Sequence, residues 1–194
     1  MGHLFDGGEM KQIYWVRHCQ ALGQPREMAL TDLGWEQAKG LAGFLGDRGI
    51  VRVVASPFVR ARESVVPLAL RLGLEIEIDD RLGERNVGDL GIDWDVETER
   101  AVAEFGRTFE DLDLCFEGGE SSREAMGRAI GVVGDALEGE TPVVMASHGN
   151  LTALMWKHYD DSVGFLQWQA LTNPDVLLLT FEGETPTIER IWKG

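Results

Sequence analysis

Cysteine is scarce in this chain: Cys19 and Cys115 are the only two among 194 residues. Two cysteines imply no disulfide framework. Basic charge is also short, with 18 Lys and Arg against 33 Asp and Glu and a formal net charge of −15. A surface of that sign repels nucleic acid and anionic membranes, so neither is expected as a partner. No apolar run approaches the roughly 20 residues that span a bilayer. The opening Met1-Gly2-His3-Leu4-Phe5-Asp6 lacks the basic-then-apolar order of a secretory leader. A cytoplasmic protein is therefore expected. Residues 1–9 read as a loose tail ahead of Met10-Lys11, an alternative start.

What remains is ordinary for a globular protein: 44% hydrophobic and 26% charged residues, in a length that suits one α/β domain spanning 1–194. Strand patterns fall near 12–17, 51–56, 74–78, 142–147 and 176–181, with a weaker edge segment at 186–192. Helical patterns lie between them. One runs to about Asp47 with Asp32 as its expected cap, and one follows Pro57 and ends at Gly73. Two more cover Glu120 to Leu137 and Asn150 to about Tyr159. The alternation predicts a three-layer α/β/α sandwich with a mainly parallel sheet of about six strands. Residues 79–118, rich in Asp, Glu and Gly, break the rhythm and read as an insertion or lid.

Two of the four histidines follow apolar runs directly. Ile13-Tyr14-Trp15-Val16 leads into Arg17-His18-Cys19, and Val143-Val144-Met145-Ala146-Ser147 leads into His148-Gly149-Asn150. Carboxyl ends of parallel strands line the ligand crevice of an open sheet, so both imidazoles are expected in one site. A single strand-end histidine is more often a hydrogen-bonded structural residue. Two of them, beside an arginine, point to chemistry near neutral pH.

Further segments follow in order: Leu30-Thr31-Asp32-Leu33-Gly34-Trp35-Glu36-Gln37-Ala38, Ser56-Pro57-Phe58-Val59-Arg60-Ala61 and Leu82-Gly83-Glu84. With Ser147-His148-Gly149 they resemble the histidine phosphatase superfamily, which includes the cofactor-dependent phosphoglycerate mutases. The family's Arg-His-Gly reads Arg17-His18-Cys19 here.

The resemblance implies a phosphoglycerate mutase-like fold and phosphoryl transfer without metal or other cofactor. His18 is then the nucleophile that forms a phosphohistidine, and Glu84 the general acid and base. Arg17 and Arg60 supply planar charged forks for the phosphate, and neighbouring arginines help keep His18 neutral. His148 is a second phosphate ligand, and Gln24, Gly149 and Asn150 complete the phosphate-binding set. The helix after His148 is expected to aim its backbone N–H groups at the anion. Arg62, Arg81 and Arg85 read as rim charges, with Arg62 or Arg85 reaching the substrate's remote end. His3 and His158 read as tail and helix-surface residues.

Cys19 keeps the backbone N–H that a small residue would bring close to the phosphate, and is read as a tolerated substitution. A cysteine-nucleophile phosphatase needs Arg after five intervening residues, but position 25 is Pro. The chain is short for a mutase, so hydrolysis of a small phosphorylated metabolite is favoured over phosphoryl return. A phosphate-binding regulator without turnover is the alternative of another class, and a homodimer is left open.

Overall fold

The computed structural model describes residues 10–93 and 96–192. The expected tail at 1–9, with His3, lies outside the described residues. Six strands build one sheet: β1 (Lys11–Arg17), β2 (Arg52–Ala55), β3 (Ile76–Ile78), β4 (Val143–Ser147), β5 (Asp175–Phe181) and β6 (Thr187–Arg190). Their order is β3-β2-β4-β1-β5-β6. The first four in that order are parallel, and β5 and β6 add an antiparallel edge.

Side chains alternate across the sheet, so each strand feeds two cores. In β1, Ile13 and Trp15 pack on one face while Tyr14 and Val16 pack on the other. In β4, Val143 and Met145 share the first face, Val144 and Ala146 the second. Burial on both sides is why these strands read as unbroken apolar runs. Helices α1 (Asp32–Leu45) and α2 (Val59–Leu72) cover the second face through Leu41, Leu45, Val65 and Leu68. Helices α3 (Thr98–Glu110), α4 (Ser122–Glu138), α5 (Gly149–Tyr159) and the short α6 (Phe165–Gln169) cover the first. This is the three-layer α/β/α sandwich with a mainly parallel sheet.

The helix ends have local causes. Helix α1 is capped by Thr31, whose Oγ1 accepts the Gly34 N–H at 3.0 Å, and not by Asp32, which lies in the first turn. Helix α2 stops at Gly73, whose φ of +68° is a left-handed conformation open to glycine. Helix α4 starts at Ser122 because Ser121 and Glu124 form a reciprocal capping box. Helix α3 was not foreseen: it lies within 79–118 and buries Ala101, Phe105 and Phe109 against α6 and the core. Among the described residues no helix is long and apolar enough to cross a membrane.

Candidate active site

Register brings the two histidines together. In the parallel β1–β4 pair Arg17 stands opposite Ser147, and the His18 N–H extends the ladder to the Ser147 carbonyl at 2.9 Å. The next residue on each strand is therefore a histidine, one strand spacing from its neighbour. Their ring centroids are 5.2 Å apart. On the other side of β4, Ser56 follows β2 and its N–H donates to the Ala146 carbonyl at 2.9 Å. A cavity of about 830 Å³ opens over these strand ends, with Arg17, His18, Phe58, Arg60 and Glu84 in its wall. Gln24, Gly149 and Asn150 line it too, as expected. His148 does not: it is fully buried, with the Phe58 ring edge-on to it at 4.7 Å.

His18 is held in one tautomer by partners on both nitrogens. Its Nδ1 lies 2.7 Å from the Cys19 carbonyl oxygen, which can only accept, so Nδ1 carries the proton. Its Nε2 accepts from Arg60 Nε at 3.2 Å, so that atom presents a lone pair. Burial pushes the imidazole pKa down to about 3 against the pull of the Cys19 carbonyl, and Arg60 and Arg17 lower it further. Burial is the largest cause, and the two arginines help keep the imidazole neutral, as expected. Asn173, between α6 and β5, donates from Nδ2 to the His18 carbonyl at 2.7 Å. His148 is likewise held neutral, first by burial and then by His18 and Arg60.

The Leu30–Ala38 motif acts on the loop after His18. Thr31 N–H donates to the Gln20 carbonyl at 3.1 Å, and Gln37 Oε1 accepts the Gln20 N–H at 2.8 Å. A Cβ on Gly34 would stand 2.0 Å from that same carbonyl oxygen, so only glycine lets α1 approach so closely.

Arg60 is buried at the start of α2. Its NH1 donates to the main-chain carbonyls of Gln24 and Pro25 at 2.8 and 2.9 Å, so Gln24, otherwise exposed, meets it through its backbone. Arg17 NH1 donates to the Leu171 carbonyl at 2.8 Å. A Cβ at Gly149 would lie 3.1 Å from the Arg17 Cζ, so glycine there makes room for the guanidinium.

Glu84 sits across the start of α5. Its Oε2 accepts the Asn150 N–H at 3.1 Å, while Oε1 accepts those of Leu151 at 3.1 Å and Arg85 at 2.9 Å. The helix amides expected to face an anion are thus engaged by a carboxylate. The segment that carries Glu84 is pinned from below. Arg128 NH1 donates to the Gly83 carbonyl at 2.7 Å and pairs through NH2 with Glu120 Oε1 at 2.7 Å. Ser147 Oγ donates to the Leu82 carbonyl at 2.9 Å.

Other expectations change. The Cys19 N–H donates to Ser64 Oγ at 2.8 Å, and Ser64 Oγ donates to the Arg60 carbonyl at 2.6 Å. That amide is committed within the protein rather than presented to a phosphate. The Cys19 side chain is fully buried with Leu30 and Ala38, and burial raises its pKa to about 11. Arg85 is no exposed rim charge: it is only 3% exposed and reaches inward to Thr108 Oγ1 at 2.9 Å and the Glu120 carbonyl at 3.1 Å, yet it also forms part of the cavity wall. Arg62 is exposed and outside the cavity wall, whereas Arg81 pairs with Asp79 and Asp135. His158 is exposed on α5 as expected.

Among the described residues, five buried side-chain nitrogen or oxygen atoms have no hydrogen-bond partner: Arg17 Nε, Arg85 NH2, His148 Nδ1, and Asn150 Nδ2 and Oδ1. All belong to residues of this site or directly behind it. Unmatched buried polar atoms are costly, so their concentration in one place marks a functional centre.

Fold and site together define an α/β protein that presents a neutral imidazole and buried arginines at the carboxyl ends of its parallel strands. The chain belongs to the histidine phosphatase superfamily, branch 1, whose family profile matches residues 13–193. A bifunctional protein of Mycobacterium tuberculosis is 35% identical over 155 residues, covering 73% of this chain and 42% of that protein. A glucosyl-3-phosphoglycerate phosphatase of the same species is 32% identical over 142 residues, covering 65% of this chain and 61% of that protein. The chain thus spans less than two thirds of the length of either relative. The solved complex of mycobacterial glucosyl-3-phosphoglycerate phosphatase with inorganic phosphate superposes with a TM-score of 0.76 at 26% identity, over 95% of this chain and 97% of that one. A phosphoglycerate mutase from Bacillus anthracis shares the fold, with a TM-score of 0.76 at 20% identity over 94% of this chain and 92% of that one.

Proposed function

We propose that the chain is a phosphoric monoester hydrolase that acts on a small phosphorylated metabolite through a phosphohistidine on His18. The observation that carries this is the locked tautomer: Nδ1–H is tied to the Cys19 carbonyl, and the Nε2 lone pair meets Arg60. Nε2 attacks phosphorus, an N–P bond forms, and the bond from phosphorus to the ester oxygen breaks. Glu84 gives its proton to the departing alkoxide. Water then attacks the phosphohistidine, the N–P bond breaks, and Glu84 takes the proton that water releases. Arg17, Arg60, Gly149, Asn150 and Gln24 hold the phosphoryl oxygens from the cavity wall, and His148, buried behind that wall, meets them through its unpartnered Nδ1, with charge supplied by guanidinium groups rather than a metal. Residues 85–118 and the side chains around Phe58 and Gln24 set specificity. Water as acceptor finds support in the phosphatase relative at 32% identity, whereas the mutase, at 20%, speaks for the fold alone.

The test is hydrolysis of an aryl phosphate in the presence of chelator, with acid-labile phosphate on the protein trapped by rapid quench. Turnover and trapped phosphate are both expected to vanish in His18→Ala. Turnover that survives this substitution overturns the mechanism. Labelled phosphate moving between positions of phosphoglycerate without release would instead establish a mutase.

A further inference from the structure

Ser56 opens the Ser56–Ala61 motif yet has no part in the chemistry above. It is fully buried, and its Oγ lies 2.7 Å from His148 Nε2. The direction of that hydrogen bond follows from counting protons. Ser56 Oγ already accepts the Phe58 N–H at 3.2 Å. Its own proton has one acceptor within reach among the described residues, His148 Nε2. His148 is neutral, so it carries a single N–H. If Nε2 accepts from Ser56, that N–H is on Nδ1, the ring's unmatched atom. The reverse arrangement leaves both the serine proton and the Nδ1 lone pair unmatched, one buried loss more.

The two tautomers differ in what the ring offers to an anion. With the proton on Nδ1, the ring carries a donor that no described residue satisfies, on an imidazole whose centroid is 5.2 Å from that of His18. With the proton on Nε2, that same Nδ1 would carry a lone pair, which repels an anion instead of binding it. We propose that Ser56 is a positioning residue that fixes the Nδ1–H tautomer of His148 and so makes it a phosphate donor. This rests on the phosphoryl-transfer role of the site, although the tautomer itself can be read without turnover.

The experiment is two-bond proton–nitrogen NMR on protein with nitrogen-15 histidine, the His148 signals being assigned by comparison with His148→Gln. Wild type is expected to show the Nδ1–H pattern at His148. Ser56→Ala is expected to lose that pattern and to raise the inhibition constant of inorganic phosphate about 10- to 100-fold. Ser56→Thr, which keeps the hydroxyl, is expected to restore both. An Nε2–H pattern in wild type overturns the proposal, and so does an Nδ1–H pattern that persists in Ser56→Ala with unchanged phosphate inhibition. Should Ser56→Ala not fold, the wild-type pattern decides alone. An Nδ1–H pattern without any trapped phosphoenzyme would sustain the tautomer assignment while refuting the proposed hydrolysis.

Discussion

Acid should destabilise this protein through His18, by an amount that can be worked out in advance. The folded imidazole has its pKa pushed from 6.5 down to about 3, chiefly by burial. In the unfolded chain it titrates at its ordinary value. Above that value both states are neutral and the residue contributes nothing to pH dependence. As pH falls from 6.5 toward 3 the unfolded chain takes up a proton that the folded site refuses, so stability falls. Between about pH 8 and about pH 5.5 the shift amounts to one unit below the ordinary value, or about 1.4 kcal/mol. This window stays above the isoelectric point near 4.6, where solubility is lowest. The assay is urea unfolding at both pH values for wild type and His18→Gln, a neutral amide with no proton to gain. His148, also held neutral, contributes a loss common to both proteins. Wild type is expected to lose about 1.4 kcal/mol more than the variant across the window. Equal losses would refute the claim that folding excludes the imidazolium at position 18.

Two other outcomes follow from the packing. Native protein treated with iodoacetamide is expected to take one label, at the exposed Cys115, because the Cys19 thiol is buried with its pKa raised to about 11; peptide mass spectrometry showing label on Cys19 before unfolding would overturn this. Arg128→Met removes the guanidinium that pins Gly83 and Glu120, and should lower kcat on an alkyl phosphate about 10- to 100-fold through a displaced Glu84; an unchanged kcat would show that Glu84 does not need this support.

The parts of the site that lie on strands were legible because a strand end is a local signal. An apolar run buried on both faces stops where a polar residue emerges, and the two histidines stand at those stops. Residues that act over long range left no such trace. Asn173 lies in an Asn-Pro pair, which reads only as a turn, and nothing near it in sequence says that its amide reaches back to the His18 carbonyl. Arg85 looked like one more charge in an acidic loop because Thr108 and Glu120, which receive it, are distant in sequence. Helix α3 was legible in principle, since Ala101, Phe105, Thr108 and Phe109 recur on one face, but the acidic composition of 79–118 draws attention away from that periodicity. The cap of α1 was misplaced by one residue, since Thr31 and Asp32 are both good caps and only the fold decides between them.

Positions 19 and 149 each follow a histidine of the site, yet they face different evolutionary freedom. At 149 an added Cβ would stand 3.1 Å from the Arg17 guanidinium, so that group would have to yield by a few tenths of an ångström. A side chain at 149 therefore displaces a charged group of the site. At 19 the backbone is tied to Ser64 and the side chain points into a small apolar nook with Leu30 and Ala38. Packing there constrains volume and not reactivity, so the nook can trade a thiol for another small group without reaching the chemistry. The two positions therefore offer very different room for divergence.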